Sequence, residues 1–203
     1  MYNEDEGELK HTLKGCLHNY NCMKMDETTK FTKDDFLVVV ICDGYDRIPE
    51  SLKILARDKG FLDEEVLFQK GFMEMSRDNE FKMKQMRDVV DPSVNPDDVP
   101  SNILHCFQVT TWDFDFDKGS REKCDYLKGR RINFMFCIKH RNDGKINSHK
   151  WFFQAVCKYV KPQFTLMLDI GTRPDKYALQ RLYNHMSAHP QAGGVCGEIE
   201  VDI

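Results

Sequence analysis

No apolar stretch in the 203 residues is long enough to cross a membrane: the longest uninterrupted run, Phe36 to Cys42, is a third of a span. There is also no basic-then-apolar leader and no N-x-S/T site, so nothing in these residues marks secretion. Positive charge is not in excess. Lys and Arg number 29 against 33 Asp and Glu, a formal net charge of −4, which argues against a mainly electrostatic nucleic-acid binder. The eight cysteines include no C-x-x-C pair, which removes the best support for a zinc ribbon or a thioredoxin-type site. They stand mostly singly in apolar runs, as reduced thiols serving as small core residues do. Neither an internal repeat nor a low-complexity tract is present. What is present is a globular composition, 41% hydrophobic and 31% charged, which rules out wholesale disorder. The length suits one domain with a real core and hardly two. Such a chain buries roughly 70% of its unfolded surface and needs no disulfide or metal to hold it.

The pattern alternates strand and helix. Residues 36–42, 132–138 and 164–169 are near-continuous apolar runs, as strands covered on both faces should be. Leu9, Leu13, Cys16, Leu17 and Tyr20 share a helical face. Phe152, Ala155, Val156 and Tyr159 share another, with Ser148 as the expected N-cap. Leu179, Leu182, Tyr183 and Met186 follow Thr172 and Pro174, a cap-and-proline start, and Pro190 lies beyond the stop. A last strand is expected at 194–201. Alternation of this kind implies an α/β fold with a mostly parallel sheet, whose ligands collect at the carboxyl ends of the strands. Residues 91–100 hold three of the seven prolines and read as loop, and 112–131 swing from acidic to basic as a surface excursion. The opening Met1-Tyr2-Asn3-Glu4 reads as the exit of a strand whose body is missing, and Ile203 stops where a strand finishes. The chain therefore reads as a piece of something longer.

Several constellations are set aside. Asp113-x-Asp115-x-Asp117 opens like an EF-hand, but Lys118 stands where glycine is required and Cys124 where glutamate is required. His185 and His189 have the spacing of a zinc pair without the following glutamate, and a helix's last turn favours histidine through its dipole. His105 with Cys106 and His149 with Cys157 are candidate nucleophile pairs, in apolar segments where a thiol is inert. The strand-end acids are better placed. Asp43, before Gly44, can accept hydrogen bonds from a base or ribose; an Asp-Gly turn residue is the equally open alternative. Asp169, before Gly171-Thr172, can hold a divalent cation that bridges phosphates.

The stretch 138–153, IKHRNDGKINSHKWFF, is too particular to be packing alone. With Cys137 before it, it resembles the segment CLKEKN-x-KKINSHRWFF of the chitin synthases, processive family 2 glycosyltransferases. Other landmarks agree in order and spacing. MYNEDE at 1–6 resembles the family's first nucleotide-binding loop; VVVICDG at 38–44 resembles VVxxSDG, with Cys42 replacing serine; LDIGTRP at 168–174 is similar to LDVGTRP; and GGVCGEI at 193–199 is similar to GGxCGEI. The likeness runs nearly end to end and is weakest over 60–130.

The resemblance implies a Rossmann-like glycosyltransferase-A domain, incomplete at both ends. Residues 1–203 would form its nucleotide-sugar-binding half, with 70–131 a variable insertion. It implies transfer of N-acetylglucosamine from UDP-N-acetylglucosamine to the 4-hydroxyl of a growing chitin chain, with inversion. Tyr2, Asn3 and Glu4 would contact uridine, Asp43 the uracil or ribose, and Lys139 uridine or diphosphate. Asp169 would hold Mg²⁺ or Mn²⁺ on the diphosphate, with Gly171 and Thr172 in the same nucleotide-sugar site. Ser148 and His149 would brace the helix after the Lys139 loop. Gly171 stands where many related transferases have the second aspartate of D-x-D, a glycine that chitin synthases share. The family's acidic base motif EDR, its Q-x-x-R-W motif and its transmembrane helices are expected beyond Ile203. No catalytic base is therefore expected in these residues; the full-length enzyme is expected in the plasma membrane, with this domain on the cytoplasmic side. Two alternatives are a hyaluronan- or cellulose-type synthase, against which INSHKWFF speaks, and a non-catalytic nucleotide-binding module.

Overall fold

Parallel pairing of two apolar strands organises the sheet. β1 (Leu37–Cys42) and β5 (Ile132–Lys139) run side by side, with Leu37 opposite Asn133 and Cys42 opposite Ile138. The computed structural model describes residues 4–26, 31, 35–60, 62–63, 72–75, 81–84, 103–111, 132–139 and 142–200. The other elements are α1 (Glu6–Met25), α2 (Glu50–Asp58), β2 (Phe72–Met75), β3 (Phe81–Lys84), β4 (Ile103–Thr111), α3 (Gly144–Lys150), α4 (Cys157–Val160) and α5 (Ala178–Ala188). Sheet order is β1-β5-β4-β2-β3. The chain divides into two compact units, Met1–Glu6 with Leu37–Thr110 and Asn133–Thr165, and Gly7–Phe36 with Thr111–Ile132 and Leu166–Ile203.

In the first unit the strand period of two assigns the faces. Val39 and Ile41 lie beside Met135 and Cys137 and pack on a buried cluster of Leu104, Cys137, Trp151 and Ala155. The helix after β5 thus covers one face of the sheet with an aromatic anchor, while Val40, Cys42, Phe134, Phe136 and Ile138, also buried, occupy the other. β5 is covered on both sides, as its near-continuous apolar run predicts. The sheet is mixed rather than mostly parallel: β2 pairs antiparallel with β3 and with β4. These strands lie within 70–131, where the pattern offered no strand.

The helix that carries Trp151 differs from its expected form. It begins at Gly144, with Asp143 at the N-cap position, so Ser148 lies inside it. Residues Trp151–Val156 are π-helical. Such a stretch closes i→i+5 bonds and rotates the next turn relative to an uninterrupted α-helix. Tyr159, expected inward, is accordingly 61% exposed. Lys161, left-handed at φ 52, and Pro162 then stop the helix.

In the second unit α1 buries Leu9, Leu13, Cys16, Leu17 and Tyr20 as its spacing predicts, and also Thr12, Asn19 and Asn21. α5 starts at Ala178, with left-handed Tyr177 at its N-cap, rather than after Thr172 or Pro174. Pro174 is instead buried beside Gly15, where an added Cβ would lie 2.6 Å from the proline Cδ. The strands expected at 164–169 and over the described part of 194–201 do not form. An apolar run becomes a strand only where an edge is present to close its hydrogen bonds, and Leu166 and Met167 stay 43% and 47% exposed. No helix among the described residues is long and apolar enough to cross a membrane.

Candidate functional site

Because β1 and β5 are parallel and in register, their carboxyl ends emerge together. Asp43, just past β1, and Lys139, the last residue of β5, are both buried and meet at 2.6 Å between Oδ1 and Nζ. Taking two charges out of water is unfavourable, so a buried pair persists only with good geometry and further hydrogen bonds. Both residues have them. Lys139 Nζ donates to the Gly144 carbonyl at 3.2 Å and to Ser148 Oγ at 3.4 Å. The Asp143 N–H donates to Asp43 Oδ1 at 3.1 Å. The three donors of the ammonium are thereby engaged inside the protein.

Local sequence explains why the knot closes. Gly44 adopts φ 100, and a Cβ there would sit 2.9 Å from the Asn142 nitrogen, so only glycine lets the β1 exit pass under the β5 exit. Asn142 Oδ1 accepts the Gly144 N–H at 3.1 Å, the Asx turn that Asn-Asp-Gly favours. That turn delivers the carbonyl and hydroxyl of α3 to Lys139. Ser148 also donates to Gly144 O at 3.5 Å, so it braces this helix start from within. His149, half-buried, lies beside it.

In the second unit Asp169 is exposed, and its carbonyl accepts the Thr172 N–H at 3.1 Å, closing a turn around Gly171 at φ 93. The Gly171 N–H donates to Thr12 Oγ1 at 2.9 Å. Asn19 Nδ2 donates to the carbonyls of Gly15 and Asp175 at 3.0 and 2.9 Å, and its Oδ1 accepts the Leu179 N–H at 2.9 Å. These two polar side chains hold the turn and the start of α5, yet an apolar stripe is all that α1 shows at first reading. The signal for them is polar residues at positions 12 and 19, seven apart, flanking a glycine at 15 in a helix whose stripe should be buried.

Over residues 1–203 the sequence matches the chitin synthase-like glycosyltransferase domain. The chain belongs to that family. Chitin synthase C of Aspergillus oryzae is 32% identical over 209 residues, covering 99% of this chain and 20% of that protein. Chitin synthase 1 of Fusarium oxysporum f. sp. lycopersici is 29% identical over 205 residues, 98% of this chain and 20% of the relative. Chitin synthase 2 of Cryptococcus neoformans var. grubii is 29% identical over 205 residues, 100% of this chain and 19% of the relative. The chain spans about a fifth of the length of these curated relatives.

Of the residues that the family resemblance singled out, Asp43 and Lys139 come together with Ser148. Glu4 is half-buried and acts electrostatically on the same strand end: the Cys42 thiol is pushed up to about 12, first by burial and further by Glu4 and Asp43. Asp169, Gly171 and Thr172 form one turn. Tyr2 and Asn3 lie outside the described residues, as do Asp113, Asp115, Asp117, Lys118 and Cys124.

The other constellations hold no comparable arrangement. His105 is buried and Cys106 exposed, on the opposite faces that adjacent strand residues take, so they cannot act as a couple. Cys106 accepts instead from Cys137, Sγ to Sγ 3.6 Å; this bond first, and burial second, pushes the Cys137 thiol up. The Cys16 thiol is pushed up to about 12 by burial, and burial also raises that of Cys157. The rings of His185 and His189 lie 4.5 Å apart between centroids, tilted by 44°, and among the described residues no third His, Cys, Asp or Glu makes a metal-holding group with them.

Proposed function

We propose that this chain is the donor-binding half of a chitin synthase catalytic domain of the Rossmann-like glycosyltransferase-A type, one domain with a variable insertion at 70–131. The observation that carries it is the convergence of Asp43 and Lys139 at the carboxyl ends of two parallel strands, where α/β sheets bind ligands. It occurs inside VVVICDG and IKHRNDGKINSHKWFF, two of the motifs that resemble the family's. The donor would be UDP-N-acetylglucosamine and the acceptor the end of a chitin chain.

In this reading Tyr2, Asn3 and Glu4 would contact the uridine and Asp43 its uracil or ribose. Lys139 serves first as the buried cation that fixes Asp43 and the 142–148 turn. A direct contact from it to uridine or diphosphate would require release of Gly144 O or Ser148 Oγ. Transfer breaks the bond from the sugar's anomeric carbon to the diphosphate and forms one to the acceptor 4-oxygen on the opposite face. The acceptor proton passes to a base, and the diphosphate leaves with the bonding electrons. The family resemblance puts that base, an acid of the EDR motif, beyond Ile203.

Asp169 offers one exposed carboxylate, with no described group of three ligands around it. That donor set fits Mg²⁺ or Mn²⁺ as such ions are held on nucleotides, by one or two carboxylates plus phosphate oxygens and water. Gly171 and Thr172, in the same turn, would line the diphosphate. A cation bound there would offset the charge of the leaving UDP.

Membrane spans, and a plasma-membrane location with this half on the cytoplasmic side, belong to the proposed full-length enzyme. The test is a donor screen on that protein with Mg²⁺ and chitin oligosaccharides. Chitinase-sensitive polymer should form from UDP-N-acetylglucosamine and not from UDP-glucose or UDP-glucuronate. Polymer from either of the latter instead would overturn the assignment.

A further inference from the structure

We propose that Thr12 and Asn19 are positioning residues that hold the Asp169–Thr172 turn in the geometry a nucleotide-bound cation needs. This rests on Asp169 being the carboxylate that holds the cation. Neither residue reaches that carboxylate. They act on the backbone that carries it.

Thr12, Gly15 and Asn19 fall at i, i+3 and i+7, on one face of α1. Thr12 Oγ1 accepts the N–H of Gly171, two residues from Asp169, where φ is 93. Gly15 leaves room for the ring of Pro174. Asn19 is fully buried, and its amide takes a bond on each side: the carbonyls of Gly15 and Asp175, with Pro174 at 3.5 Å, and the N–H of Leu179. The residue at the N-cap of α5, Tyr177, makes no side-chain cap bond, so Asn19 caps that helix from across the unit. The turn is therefore pinned at residue 171, and the chain that leaves it is pinned at 175 and 179. An exposed carboxylate on an unpinned loop would lose rotational and backbone freedom on meeting a metal, and preorganisation removes that loss.

The experiment is calorimetric titration of UDP into the intact protein, with and without Mn²⁺. Thr12→Val removes the acceptor at nearly constant volume. It should weaken the Mn²⁺ enhancement of UDP binding by about tenfold, the scale of residues that orient a metal ligand, while changing metal-free UDP binding by a much smaller factor. Thr12→Ser, which keeps the hydroxyl, should restore the enhancement. Equal loss of metal-free and metal-dependent binding in Thr12→Val would overturn the proposal, since a purely structural role moves both. Asp169→Asn distinguishes the premise. If it abolishes the enhancement and Thr12→Val leaves it intact, positioning alone is wrong; if Asp169→Asn leaves it intact, the metal reading fails and the proposal falls with it. A second measurement needs no substitution. The Gly171 amide, in an exposed turn, should exchange about a hundredfold or more slower than an unstructured glycine. Exchange at the unstructured rate would overturn the pinning.

Discussion

Lys139 illustrates how a residue's place at a strand exit can be legible while its surroundings are not. Its position at the exit of a buried strand is visible in the run INFMFCIK, and so is that of Asp43 after LVVVIC. Their pairing is not, because it depends on a strand register that no local pattern specifies. Buried at both partners, the pair makes an asymmetric prediction. Lys139→Ala leaves the Asp43 charge uncompensated and should lower stability by about 3–5 kcal/mol in chemical denaturation. Lys150→Ala, at an exposed position on α3, should change it by less than about 0.5 kcal/mol. Equal small effects would mean that water reaches the pair. His18 carries a pH prediction. Burial first, then Lys176 and Arg173, hold its imidazole below the ordinary histidine range, against an opposing pull from Asp175. The unfolded chain then takes up the proton first as pH falls below about 6.5, so stability present above that pH is lost on the acid side. Melting temperatures measured from pH 7.5 to 5.5 should fall more steeply for the parent than for His18→Gln. Parallel curves would remove His18 from the acid loss.

Among the elements, those with a strong local period were legible and those decided by a partner were not. α1 shows its apolar face in sequence and takes it in the fold, but Thr12 and Asn19 escape a reading that counts only apolar positions. The segment FTLMLD has a strand's composition and no described ladder, since composition does not supply an edge to pair with. The π-helical stretch at Trp151–Val156 has no sequence signal of the kind that Gly or Pro gives a turn, and it lies between the expected face and the exposed Tyr159. Gly15 tests the contact between α1 and the 172–175 segment. Gly15→Ala would force its Cβ against the proline ring and backbone of Pro174, neither of which can swing aside, and should destabilise by about 1–3 kcal/mol despite alanine's better helix propensity. A stabilised variant would mean that the segment moves away freely.

At the scale of the molecule, membership of the chitin synthase-like glycosyltransferase family was legible from INSHKWFF, CDG and LDIGTRP in their order. The proposed division between a donor half here and an acceptor half beyond it predicts that a protein limited to these residues makes no polymer from UDP-N-acetylglucosamine, Mn²⁺ and chitin oligosaccharides, only free sugar at most. Elongated, chitinase-sensitive product would reveal a base within residues 1–203, and Asp175 and Glu198 would be the first positions to mutate. The most direct test of the proposed strand-end nucleotide site is a titration of UDP followed by backbone amide chemical shifts. The amides of Asp43, Gly44, Asp143 and Gly144 should shift first and saturate together, ahead of those on β2 and β3. Saturable shifts elsewhere, with these four amides unmoved, would contradict a nucleotide site at the ends of β1 and β5.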